Sequence, residues 1–231
     1  IAVGMTLDEI HVAGTTADHE PRLDYVVAKF PRFPFDKFTS ASNVLGTQMK
    51  ATGEVMGIGS NLAECVLKSV RSLEIGVNHL YLSKFDSMTN EEIVAYLAEF
   101  KSDTLFAVAE LIRRGVSLTE LYDITKITPL FLECFKSIVD MENTLKANKG
   151  DLATLKAAKL MGFSDPFIAK LWGMPELDIY NMRKDNGITP VFRMVDTLYS
   201  GAYIPYFYSS YEGKMDSRLT NKNKAVVLGA G

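Results

Sequence analysis

Between Asn61 and Gly187 the chain is punctuated by helix caps and glycine stops at short intervals, and this most constrains its fold. A cap side chain satisfies the free N–H groups of a helix's first turn, and glycine takes the left-handed turn at its end. Asn61 is predicted to cap a helix carrying Leu62, Val66, Leu67, Val70 and Leu73 at helical spacing, with Gly76 as its stop. Thr89 caps a second helix with Ile93, Val94, Leu97 and Phe100. Ser102 caps a third with Leu105, Phe106, Ala109 and Ile112, ending at Gly115. Ser117 and Glu120 form a capping box for a short fourth. Thr128 and Pro129, a cap followed by proline at the first helical position, open the longest helix, which runs to about Ala147 before Gly150. Asp151 caps a sixth ending at Gly162, Ser164 a seventh ending at Gly173, and a last helix runs from about Pro175 to Asn186. The fold class that follows is mainly α: many short antiparallel helices around one core.

The flanks read differently. Leu23 to Phe30 is β-branched and aromatic enough for a strand, which Pro31 and Pro34 then interrupt. Gly46 to Gly59 holds several glycines and few bulky side chains, and is expected to be a loop, either one that approaches a ligand or another chain or a plain connector. After Gly187, Val191–Thr197 and Tyr203–Tyr208 look extended, with Tyr199, Tyr203, Tyr206, Tyr208 and Tyr211 crowded there to pack on a neighbouring surface. Residues 212–224 have a linker's composition, and Val226-Val227-Leu228 reads as a strand running into Gly229-Ala230-Gly231. Ile1 stands inside what reads as a short strand. Together the two ends suggest a piece of a longer protein.

The chemistry-bearing residues exclude several functions. A net charge of −3 leaves no electrostatic footprint for nucleic acid. No run approaches the ~18 apolar residues of a membrane span. Two distant cysteines, Cys65 and Cys134, sit in apolar helical contexts and read as core packing, in a reducing cytoplasm. His11, His19 and His79 show no paired ligand spacing and read as surface or half-buried residues, so no metal is expected. No phosphate loop or nucleophile elbow is present, and the Gly229–Gly231 turn alone is weak evidence for a nucleotide site. Ile168 to Tyr180, with Gly173 in the turn, resembles a helix-turn-helix. Yet Ser164–Gly187 carries four acids against three bases, and Glu176 and Asp178 stand where phosphate contacts would be needed, so it reads as a structural helix pair.

Several strings share one likeness. Glu20 to Phe33 is similar to the segment near the end of the first ATP-grasp unit of carbamoyl-phosphate synthase large subunits. Leu45 to Gly59, containing Met49-Lys50-Ala51-Thr52-Gly53-Glu54-Val55-Met56, closely resembles that family's Met-Lys-x-x-Gly-Glu-Val-Met motif, and Arg71-Ser72-Leu73-Glu74 continues it. Gly162-Phe163-Ser164-Asp165, Ile168-Ala169-Lys170-Leu171 and Pro190 to Thr197 look like the end of the family's connection domain. Tyr206 to Glu212 and the C-terminal Val-Leu-Gly-Ala-Gly resemble the start of the second synthetase half. The order and spacing match over nearly the whole chain. Two departures stand out: Ser60 where relatives usually carry arginine, and Tyr199-Ser200-Gly201-Ala202 in place of Ala-Ala-Glu-Phe, which removes a carboxylate and with it an interdomain salt bridge.

The resemblance implies a division into residues 1–76, a remnant of the first, carboxyphosphate-forming unit; 77–218, the helical oligomerisation domain; and 219–231, linker and first strand of the second half. The small α/β remnant and the single C-terminal strand flank the helices. It implies a parent ligase that makes carbamoyl phosphate from bicarbonate, glutamine-derived ammonia and two ATP, for arginine or pyrimidine synthesis. The implied partners are a glutaminase small subunit and other large subunits, with self-association through the helical domain. ATP and Mg or Mn serve the parent, while this segment is expected to bind no cofactor and to be inactive alone. The family's carbamate tunnel passes near the Met-Lys motif, which makes Met49, Thr52 and Glu54 candidates to line it. The other reading has Met49 filling core and Glu54 making a structural salt bridge. The alternative for the whole chain is a stand-alone helical regulatory or nucleic-acid-binding module.

Overall fold

A computed structural model describes residues 1–12, 14–198 and 201–229. Tyr199, Ser200, Ala230 and Gly231, on which parts of the sequence reading fall, lie outside them. Among the described residues the helices are α1 Leu62–Ser72, α2 Asn90–Ala98, α3 Thr104–Arg113, α4 Leu118–Thr125, α5 Pro129–Ala147, α6 Leu152–Leu160, α7 Asp165–Trp172 and α8 Glu176–Asp185. Asn61, Ser117, Asp151 and Ser164 each accept a hydrogen bond from the backbone N–H three residues on, as their positions predict, although Ser117 and Glu120 close only this half of the expected capping box. Thr89 and Glu92 close a reciprocal capping box. Gly173 ends α7 in the left-handed conformation at φ 69°.

Three boundaries differ from expectation. α3 is preceded by Asp103 rather than Ser102, one residue later. α1 stops at Ser72, and the chain turns left-handed first at Glu74, φ 53°, before Gly76. Phe100 lies beyond α2 in a left-handed turn and is exposed, so it is no part of that helix's apolar face. A cap signal locates a helix end to within a turn; which residue closes it depends on what the next segment packs against.

α5 is the central post, in contact with α1, α3, α4, α6 and α7. Its inward residues Leu132, Phe135, Ile138, Val139 and Leu145 are buried, against Leu67 and Val70 of α1, Val108 and Leu111 of α3, Leu121 of α4 and Leu155 of α6. Each such side chain contributes about 1.5–3 kcal/mol by leaving water, which outweighs any single cap. The helical core is therefore held by packing, and the caps define its segments.

Three two-stranded antiparallel sheets complete the fold: β1 His11–Val12 with β2 Thr15–Thr16, β3 Val26–Arg32 with β4 Gly53–Gly59, and β5 Val191–Met194 with β6 Phe207–Ser210. The glycine-rich stretch is thus not a loop throughout. Its second half is β4, paired with β3 from Val26↔Gly59 to Arg32↔Gly53. Pro31 does not break β3 either; it sits opposite Glu54. A two-stranded sheet has free edges, where the missing N–H of proline costs no ladder bond. Val226, Val227 and Leu228 are exposed and form no strand among the described residues, which corrects the expected C-terminal strand: they have no neighbouring strand to pair with.

Candidate functional site

The segment carrying the candidate residues is anchored where β4 crosses α1. A side chain at Gly57 would collide with the Cys65 carbonyl oxygen and the Ser69 hydroxyl. One at Gly59 would stand 2.8 Å from the Glu64 carboxylate. The glycines therefore admit a close backbone approach, and what approaches is the chain's own helix. Cys65 donates its thiol to Val26 O at 2.9 Å and Ser69 its hydroxyl to Ala28 O at 3.2 Å, which locks β3 onto the same helix.

Glu64, 1% exposed, is the hub of this seam. It accepts the Ser60 N–H at 2.8 Å and the Ser210 hydroxyl at 3.1 Å, and pairs with Lys68 at 2.8 Å. One carboxylate thus joins the turn before α1, α1 itself and β6. Ser60, which departs from the arginine usual in the resembling family, stands with its hydroxyl 3.2 Å from that of Ser210, a contact too close for a bulky side chain. Farther along, Arg193 of β5 pairs with Asp24 at 2.6 Å and Asp216 at 3.1 Å, and Gly201 donates its N–H to Asp196. Tyr208 is buried beside Tyr25, so this tyrosine does pack on a neighbouring surface, whereas Tyr206 is 70% exposed.

The three candidates share the turn and strand preceding this seam. Met49 is 87% exposed, so it does not fill core. Thr52 is exposed and its N–H donates to Arg32 O at 3.0 Å, at the end of the β3–β4 pair that the connecting loop joins. Glu54 forms an ion pair with Lys29 at 2.8 Å, both side chains about three-fifths exposed. The fold brings Thr52 and Glu54 onto one hairpin end and leaves Met49 in the connecting loop.

Sequence reading missed the polar centre of the helical core. His79, expected at or near the surface, is 2% exposed. Its ring stacks on Phe167 at 3.7 Å, and Nε2 meets Glu142 of α5 at 2.8 Å. Arg113 of α3 donates to the same carboxylate at 2.8 and 2.7 Å and to Leu80 O at 2.5 Å. Its neighbour Arg114 donates to Phe85 O and Met88 O. Two adjacent arginines thus pin the connection between α1 and α2. Burial alone would raise the Glu142 pKa, but hydrogen bonds from Arg113 and His79, with the charge of Arg113, outweigh it and hold the carboxylate at about 2. Burial lowers the His79 pKa, so the imidazole is neutral near pH 7. The missed signal was spacing: Glu142 falls on the stripe Phe135, Ile138, Val139, Leu145, and a carboxylate on a buried stripe demands a partner.

A second buried group ties α6, α7 and α8. Lys159, 4% exposed, donates to Asp165 at 2.8 Å and Phe163 O at 2.7 Å; Arg183 pairs with Asp165 at 2.7 Å; and the Tyr211 ring lies 4.8 Å from the Lys159 ammonium. The candidate helix-turn-helix is α7 and α8, packed on each other and fastened by this cluster, with Glu176 and Asp178 in the first turn of α8.

Cys65 and Cys134 are free and buried, and burial pushes both thiols up to about 11, so they pack as expected. No group of three or more His, Cys, Asp or Glu among the described residues is placed to hold a metal ion. No helix among them is long and apolar enough to cross a membrane. The polar groups brought together here fasten segments to one another, while Nδ1 of His79 and the Tyr208 hydroxyl are buried without a hydrogen-bond partner among the described residues. Compared with known families, residues 54–187 match the model of the carbamoyl-phosphate synthetase large chain oligomerisation domain.

Proposed function

Because the chain belongs to the family of the carbamoyl-phosphate synthetase large chain oligomerisation domain, we propose that it is the helical connection and subunit-association segment of a glutamine-dependent carbamoyl-phosphate synthase. That synthetase is a ligase. On this reading the flanking ATP-grasp units hold ATP with Mg or Mn, a glutaminase subunit supplies ammonia, and this segment sets how the units sit. The match over residues 54–187 carries the reading, because it covers α1 through α8 and the packing that joins them.

Two features support association with further large chains. Large apolar side chains lie outside the core, among them Leu130 at 61%, Phe131 at 44% and Leu177 at 64% exposure. Exposed apolar surface beyond the ordinary scatter marks interaction sites. The buried charge clusters also fasten to one another the helices that carry these side chains. Met49, Thr52 and Glu54 would line the passage for carbamate; all three face solvent, Glu54 from within its exposed ion pair with Lys29.

Sedimentation velocity over a concentration series tests the association. The expected result is reversible assembly above the 25.6 kDa chain mass. A chain that stays monomeric at every concentration overturns it. Metal-dependent, bicarbonate-stimulated ATP hydrolysis by the purified chain would overturn the connecting role.

A further inference from the structure

β4, the outer face of α1 and β6 line a shallow, open cleft of about 460 Å³ whose lining includes Ile58, Lys68, Arg71, Ser72 and Ser209. Two cations face it and no acid does. The cations differ in what they have left to offer. Lys68 spends its three protons on Glu64 at 2.8 Å, Ile58 O at 2.7 Å and Ser209 O. Arg71 makes one side-chain hydrogen bond, from a terminal nitrogen to Gly162 O at 2.9 Å. Among the described residues no carboxylate pairs with it.

A guanidinium carries five N–H donors, so most of those on Arg71 are unused. It is also partly withdrawn from water: burial is the main influence on it and disfavours its charge, and the more distant Glu64 charge acts against that. Charged groups held this way are normally paired, as Lys159 is with Asp165 and Arg113 with Glu142. The planar fork of arginine matches two oxygens of a carboxylate or phosphate. Ser72 adds a hydroxyl to the same lining.

We propose that this cleft is a binding site for a small oxyanion of the phosphate or carboxylate class, held by the unpaired donors of Arg71. The site is built wholly from this chain and stands apart from the proposed role in subunit association. Lys68 shapes it without contacting the ligand, because its protons already hold β4 and β6 in place.

The test follows the arginine Nε–H signals of the isotope-labelled chain by NMR during titration with sodium phosphate and, separately, sodium acetate, at constant ionic strength set with sodium chloride. The expected result is a saturable shift of the Arg71 signal with at least one anion. Saturation by phosphate alone identifies a tetrahedral ligand, by acetate alone a carboxylate. Calorimetry on Arg71→Gln should show affinity reduced about tenfold or more, the loss typical of a charge-assisted hydrogen bond. Arg71→Lys keeps the charge but not the fork, and should also bind more weakly; it decides the matter if Arg71→Gln does not fold. Lys146→Gln, far along α5, should bind as the parent does. No saturable shift with either anion, or unchanged affinity in a folded Arg71 variant, overturns the proposal.

Discussion

Lowering the pH should weaken this protein over two separate ranges, because His79 and Glu142 share one buried contact but titrate in different ranges. His79 is neutral in the fold, and burial depresses its pKa below the ordinary 6.5. The unfolded chain therefore takes up a proton first, and stability is full above about pH 6.5 and declines as pH falls below it. Glu142 follows. Its pKa falls from 4.5 to about 2, so its contribution is complete above pH 4.5 and is lost as pH drops toward 2. At about 1.4 kcal/mol for each unit of pKa, that contribution is about 3 kcal/mol, a large part of a typical domain's stability. Trp172 is the chain's single tryptophan, 4% exposed and donating to Leu145 O at 2.8 Å, so its fluorescence reports on the packing of α5 and α7. Urea unfolding at a series of pH values should show the two declines. Glu142→Gln should lower stability at pH 7 by about 3 kcal/mol, the lower part of the range for breaking a buried pair, because Glu110 still stands 3.4 Å from Arg113. The variant should also decline less steeply below pH 4.5, where Asp165 and other depressed carboxylates still titrate. Parallel curves for the parent and Glu142→Gln between pH 4.5 and 3 would refute the reasoning.

Three further outcomes are expected. Gly57→Ala should destabilise by about 1–3 kcal/mol, since the new methyl group must push α1 off β4; an unchanged urea midpoint would show that the seam yields freely. Asp165→Asn leaves Lys159 and Arg183 without their carboxylate and should cost about 3–5 kcal/mol by the same measurement. Cys65 and Cys134, with thiols near 11, should react with a disulfide reagent at pH 8 only as fast as the chain unfolds, and become fully reactive in urea; rapid native labelling of either would contradict their burial.

The helices were legible because their signals are local. Asn61, Thr89, Ser117, Asp151 and Ser164 act on N–H groups three residues away, and Gly173 acts on its own φ, so a neighbourhood of a few residues decides each. The Met-Lys-x-x-Gly-Glu-Val-Met string was equally readable, because a motif is a local pattern.

What escaped the sequence depends on residues far apart along the chain. Gly57 and Gly59 became strand because α1 lies against them, and the same composition away from a helix would remain loop. His79 meets Glu142 across 63 positions, and Ser210 meets Glu64 across 146. No local pattern says that a histidine will be buried on a phenylalanine, or that one guanidinium will go unpaired. Helix ends and apolar stripes are thus properties of short stretches, whereas the pairing of charges is a property of the packed molecule. Only when the backbone excludes water must each buried charge find its partner.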